Sequence, residues 1–209
     1  MHNHWAVMCA IAVISLAGCE SLHVDHISLK HTQQQTAAAV AGADSVVVSV
    51  KANDSRNVLA PGISRELGQA VVGYGRNGLG EQTYPDIIVT EPVALTLKRS
   101  IEDELKARGF HVDGIADFIV EVDIKNFFND YKVGLIFSES VADLNMDIKV
   151  LSSKGALLYS RNIAVQGRKA WASTMRGDDA GIALNRALDN GINALFGDNA
   201  FLSVFSPDR

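Results

Sequence analysis

Phe118-Ile119-Val120-Glu121-Val122-Asp123-Ile124-Lys125 is the stretch that decides the fold of this chain. Phe118, Val120, Val122 and Ile124 alternate with Ile119, Glu121, Asp123 and Lys125, the period of two expected of a strand with one buried and one mostly wet face. Downstream, Ala142, Leu144, Met146, Ile148 and Val150 repeat the pattern against Asp143, Asn145, Asp147 and Lys149. Ser152-Ser153-Lys154-Gly155 reads as a turn and Leu157 to Gln166 as a third strand, which makes an antiparallel meander.

Two helical patterns flank the meander. The first has Thr90 as N-cap, Glu91 and Pro92 in its opening turn, and a stop at Gly109 after Lys106 and Arg108. Val93, Leu97, Ile101 and Leu105 form one stripe at i, i+4 spacing, and Lys98, Glu102 and Lys106 another. The second starts at Asp178 or Asp179, carries Ala180, Leu184, Leu188, Ile192 and Leu195 on its apolar stripe, and closes at Gly197. After it, Phe201, Val204 and Phe205 predict a short edge strand or packed coil.

Upstream, the valines of Ser45 to Lys51 predict a first strand. Residues 53 to 85 hold most of the Gly and Pro and predict a long connection, with short strands at Gln69 to Tyr74 and at Ile87 to Val89. The expected fold is α+β: an antiparallel sheet in the order strand, long loop, helix, three-strand meander, helix, with both helices packed on one face.

The N-terminal segment settles the compartment. Thirteen uncharged residues, Trp5 to Ala17, run into Leu16-Ala17-Gly18-Cys19 and stop. The run is too short to cross a hydrocarbon core of ~30 Å as a helix. It reads as a lipoprotein signal peptide, residues 1–18, ending in a lipobox with Cys19 as the lipidated residue, although Met1-His2-Asn3-His4 lacks the usual Lys or Arg. Polar residues 19–43 then read as a flexible tether, and residues 44–209 as a single periplasmic α+β domain. The other cysteine, Cys9, lies inside the signal, so the processed chain has no internal disulfide to lean on. With 19 Lys and Arg against 24 Asp and Glu, the net charge of -5 argues against nucleic acid.

No catalytic set emerges. Gly73-Tyr74-Gly75-Arg76-Asn77-Gly78 matches G-x-G-x-x-G, but Leu79, Gly80 and Pro85 follow where a helix must open, so 73–80 reads as a turn-rich loop and no cofactor is expected. His23, His26 and His31 lie in the tether without a preorganised set of ligands, and no metal is expected. His111 is the one histidine beyond the tether and has no nucleophile motif beside it; it is the base on which a rival reading, an enzyme acting on an envelope substrate, would depend. Phe127, Phe128, Tyr131 and Phe137 around the turn after the first meander strand, with Trp171 before the last helix, form a candidate partner-binding group; Phe137 and Trp171 serve equally well to close the core.

These features, LAGC, Asp54-Ser55-Arg56 after the valine-rich strand, the helix Leu97 to Arg108 ending in Ala107-Arg108-Gly109-Phe110, the meander and the closing helix, resemble the YajG-type lipoproteins of Gram-negative bacteria. The resemblance implies an outer-membrane lipoprotein with a compact α+β periplasmic domain and no established enzymatic activity, attached by lipid on Cys19. The element order is also similar to auxiliary lipoproteins of envelope transport systems. The function expected is a non-catalytic accessory or scaffold module that binds another envelope protein, and Glu20 after the cysteine suits sorting to the outer membrane.

Overall fold

The computed structural model describes residues 24–32, 38–57, 65–77, 79, 81–112, 114–172 and 175–205. They form β1 (Asp25–Ile27), β2 (Val48–Asp54), α1 (Arg65–Ala70), β3 (Val71–Arg76), β4 (Gln82–Val89), α2 (Val93–Ala107), β5 (Phe118–Val133), β6 (Ser138–Ser152), β7 (Leu157–Ala172), α3 (Gly177–Phe196) and α4 (Asn199–Ser203). The α+β class is as expected, and β5-β6-β7 is the antiparallel meander. The sheet as a whole is mixed, not antiparallel. β1 runs parallel to β4, β2 parallel to the first half of β5, and β3 parallel to β5 at Gly73 and Asn129.

β5 is twice as long as its alternating stretch suggests because of a β-bulge. Opposite β6 the register shifts between Ile124, paired with Met146, and Asn126, paired with Asn145. Lys125 is the extra residue, so two successive side chains, Lys125 and Asn126, face outward and the alternation resumes one position later. Val120, Val122 and Ile124 point into the core before the bulge, and Phe127, Asn129 and Tyr131 after it. A period-two reading loses the strand at that point and takes the second half for a turn.

Both helices lie on the inner face. α2 packs on β2, α3 on β5, β6 and β7, and the helices touch each other. The stripes are as the spacing predicts: Val93, Leu97, Ile101 and Leu105 of α2, and Ala180, Leu184, Leu188, Ile192 and Leu195 of α3, are buried. The α2 cap is Pro92 and not Thr90, and the helix ends on Gly109 at φ 97, where the Phe110 amide returns to the Leu105 carbonyl. α3 lies close to β7: a Cβ on Gly167 would come within 2.0 Å of the Ala183 carbonyl oxygen.

Two regions differ from expectation. The 53–85 stretch is not one loop: α1 and the first half of β4 fall within it, and the short strand expected at Gln69 to Tyr74 is present as β3; Gly73 and Gly75 of the glycine motif are strand residues, and Gly78 and Gly80 lie outside the described residues. A Cβ on Gly73 would sit 3.1 Å from the Asn129 carbonyl, so this glycine serves the close approach of β3 to β5. The C-terminal tail forms α4 instead of an edge strand or coil. Its Phe201 packs edge-on against Tyr159, Phe196 and Phe205, and Phe205 against Phe110 and Phe118, which plugs one end of the core.

The residues expected as a flexible tether are partly built into the domain. Asp25–Ile27 is a sheet strand, Ile27 and Ala43 are buried, Leu29 and Val40 pack on the core, and the Thr90 amide donates to the Ile27 carbonyl. Apolar residues spaced singly through a polar stretch are enough to dock it, and their isolation hid them.

Arg56 closes the gap where β2 leaves β5 and β3 takes over. Its Nε and Nη2 meet the two carboxylate oxygens of Asp54 at 2.8 and 2.7 Å. Nη1 donates to the carbonyls of Phe127 at 2.8 Å and Val71 at 3.3 Å, and Nη2 to that of Gln69. All five guanidinium hydrogens have an acceptor, which lets a charge 6% exposed stay in the core. The Gln69 amide adds a bond to the Asp54 carbonyl.

Replacing Arg56 by Met should leave the Asp54 carboxylate without its charged partner and three carbonyls without the guanidinium donor, and cost about 3–5 kcal/mol, read as a fall in Tm of roughly 6–20 °C; Arg56→Lys should recover only part of it. At the opposite end of the sheet, Asp198 accepts from Tyr159 Oη at 2.8 Å, Arg161 Nη1 at 2.6 Å and the Ala200 amide at 2.8 Å. The Tyr159 bond first, and then the others, outweigh desolvation and hold the Asp198 pKa below its ordinary value. A depressed pKa contributes stability that is present above the unfolded value of about 3.9 and lost as pH falls through the folded one. Asp198→Asn should therefore lower Tm at neutral pH and flatten its decline between about pH 5 and pH 2, measured by thermal unfolding across that range.

Candidate functional site

Four places on the molecule gather unusual chemistry. The first is a cluster between α2, α3 and the N-terminal segment. His31 Nδ1 lies 2.7 Å from Asp189 Oδ1, and Nε2 3.0 Å from Glu104 Oε1. Glu104 also pairs with Arg108, whose guanidinium lies 4.4 Å over the Phe196 ring. The His31 and Glu104 side chains are 5% and 1% exposed. Both ring nitrogens are engaged by carboxylates, so the cluster consumes its groups in bonds that join segments. Lys30 and Thr32 amides donate to Asn185 and Asp189 on the same helix. His31 is thus a clasp for the N-terminal segment, and His26 is exposed in β1.

The second is the outer face of the sheet. No helix covers it. A groove of about 420 Å3 is lined by Lys51, Asn53, Glu121, Asp123, Lys125, Asp147 and Lys149. Burial would raise the Asp123 pKa, yet hydrogen bonds from Lys125, Ser55 and Asn53 leave it below its ordinary value, and the same carboxylate pushes Lys125 up. The polar bonds run sideways from strand to strand: Asn53 to Asp123, Asn162 to Asn145 and Asp147, Gln166 to Asp143. Such a lattice presents a surface and does not converge on one reacting atom.

A second groove, of about 600 Å3, lies beside the Asp54–Arg56 knot between Asn53, Gln69, Thr90, Glu91 and Pro92. The fourth place is the β5–β6 hairpin tip, where Val133, Leu135, Ile136 and Phe137 are exposed, and Phe137 packs at 4.6 Å between centroids on the exposed Trp171 of β7.

The aromatic group expected from sequence is divided. Phe127 and Tyr131 are not surface residues: the bulge at Lys125 turns them into the core, where they are 0% and 5% exposed. The Tyr131 hydroxyl donates to the Arg176 carbonyl, and burial pushes its pKa well up. Phe128 stays on the outer face, half-buried, with its ring edge-on to Tyr74 at 5.1 Å. Trp171 is exposed. The sequence reading missed Val133, Leu135 and Ile136 although Val133-Gly134-Leu135-Ile136-Phe137 carries no polar side chain, because a short apolar run reads as buried by default. His111 is exposed, holds its place by backbone bonds to Val46 and Val48, and lines neither groove. Cys19 and His23 lie outside the described residues.

Among the described residues no group of three or more His, Cys, Asp or Glu is arranged to hold a metal ion, and no helix is long and apolar enough to cross a membrane. His31→Gln cannot reach both Asp189 and Glu104 as the imidazole does and should cost about 1–3 kcal/mol, seen as a lower denaturant midpoint at unchanged m-value.

The same architecture occurs in solved structures. A Xanthomonas campestris protein of the DUF330 family superposes with a TM-score of 0.56 at 17% identity, over 84% of this chain and 93% of that one. A Helicobacter pylori homolog of the neuraminyllactose-binding hemagglutinin superposes at 0.50 with 9% identity, over 86% and 96%. A minor lipoprotein of Acinetobacter baumannii aligns over 75% and 92% of the chains at 7% identity with a TM-score of 0.42. No curated protein sequence matches the chain. The model of the uncharacterized-lipoprotein family Lipoprotein_16, the YajG-like family, matches residues 33–204, from just after the His31 clasp through α4, and the chain belongs to that family.

Proposed function

We propose that this lipoprotein is anchored at the periplasmic face of the outer membrane through lipid on Cys19, and that it serves as a non-catalytic accessory or scaffold module holding another envelope component. One observation carries the reading: both long helices occupy the inner face, and the outer face is left as an open field of cross-bonded polar side chains. The buried polar groups, Arg56 with Asp54 and His31 with Glu104 and Asp189, are consumed in joining segments. What remains for work is therefore a surface. Alternating Lys51, Lys125 and Lys149 with Glu121, Asp123 and Asp147, and the Phe128–Tyr74 pair at its margin, suit a protein with a complementary charge pattern.

Stable anchoring requires more than one acyl chain, since each buried methylene is worth ~0.8 kcal/mol and a single myristoyl group holds only marginally. Cys19→Ser should accumulate as unprocessed precursor; normal cleavage with retention in the membrane would refute the lipobox. Photo-crosslinking residues placed at Glu121 or Phe128 in cells should give a discrete protein adduct, and one at Ile182, exposed on α3, should not. Equal labelling from Ile182, or none from the sheet face, would sink the docking face.

A further inference from the structure

The hairpin tip is the most apolar exposed surface among the described residues. Leu135 and Ile136 are 108% and 87% exposed, and Trp171 beside them 65%. Val133 and Phe137 complete the patch, with no charged residue from 133 to 138 and Lys132 and Lys169 at its shoulders. Trp171 adopts φ 57, a left-handed conformation costly for a bulky side chain. The register of β6 against β7 shifts between Ser138 and Ser140, so a bulge there aims the indole outward and over Phe137. Strain is thus spent on keeping a tryptophan in solvent.

The path of the chain says what covers it. Val133, Ser138 and Ala172 mark one end of the sheet, and Leu157 the other. β1 is parallel to β4, β4 antiparallel to β3, and β3 parallel to β5, so the residues ahead of Asp25 leave toward the Val133 end. Asp25 is tied there, accepting from the Gly177 amide at 2.9 Å, just past the end of β7. Only four residues lie between Cys19 and Val24, five Cα steps with a reach of at most about 18 Å. A lipid on Cys19 therefore holds this end of the sheet, with its apolar tip, against the membrane that carries the lipid.

We propose that the tip formed by Val133, Leu135, Ile136, Phe137 and Trp171 inserts into the lipid bilayer surface and fixes the orientation of the domain. The combination of aliphatic side chains, an indole and flanking lysines matches the interfacial zone of a bilayer. A convex tip of five side chains is small beside the ~800 Å2 that each partner contributes to a standard protein interface. The proposal rests on the anchoring of Cys19 proposed above, and its test separates the two.

The sequence has two tryptophans, Trp5 and Trp171, and Trp5 precedes Cys19, so the processed protein reports from Trp171 alone. The lipidated protein is reconstituted in phosphatidylcholine vesicles with and without bromine on the acyl chains, and the mass of the N-terminal peptide is recorded. The expected result is at least a roughly twofold drop in Trp171 emission with brominated lipid. The double variant Leu135→Asp, Ile136→Asp should lose that quenching while remaining vesicle-bound with unchanged thermal unfolding, both residues being solvent-exposed. Leu157→Asp at the opposite end should keep it. A vesicle-bound protein whose Trp171 ignores bromine and stays open to acrylamide overturns the docking and leaves the anchor standing. Trp171 shielded from acrylamide yet insensitive to bromine points to a protein occupant and equally overturns it. An N-terminal peptide without lipid removes the anchor and the proposal with it.

Discussion

The guanidinium of Arg56 is the contact on which the sheet depends. β5 is a single strand of 16 residues, but on the side away from β6 it has two successive neighbours, β2 and then β3. Where one leaves and the other arrives, the carbonyls of Phe127, Val71 and Gln69 need donors. An ammonium has three hydrogens on one point; a planar fork with five, braced on the Asp54 carboxylate, can face several directions at once. Asp54-Ser55-Arg56 supplies that fork and its brace within three residues.

The bulge at Lys125 is the second constraint, and it acts through parity. One inserted residue lets β5 continue for eight residues past Lys125 while its core set, Phe127 and Tyr131, stays on the inner side. Without it those two aromatics would face solvent and Phe128 would face α3. The inner face then accepts α3 at very short range, because Gly167 on β7 and Gly191 on the helix have no Cβ where the Ala183 carbonyl and the Leu144 side chain lie.

Commitment of both helices to one face gives the molecule two unlike surfaces. The broad outer face is polar, mixed in charge and cross-bonded, the character of a protein-docking surface. The narrow end where β5, β6 and β7 finish is apolar, and the chain enters β1 from that side. The proposed anchor, orienting tip and docking face thus draw on different residues.

The sequence by itself determined the elements whose signal is local. Alternation in Phe118–Lys125 and Ala142–Val150, the i, i+4 stripes of α2 and α3, and the glycine stop at Gly109 each follow from the geometry of one strand or one helix turn. Those elements were enough for the α+β class and for helices on a single face, and LAGC was enough to expect a lipoprotein. Tertiary structure alone decided how the strands pair, because β1, β2 and β3 find their parallel partners among residues 56 to 70 positions away, where no local period records them. It also decided which aromatics are core and which are surface. Phe127, Tyr131, Leu135 and Trp171 are all large, mainly apolar side chains, and only a bulge in one strand and a left-handed residue in another send the first two inward and leave the others in solvent.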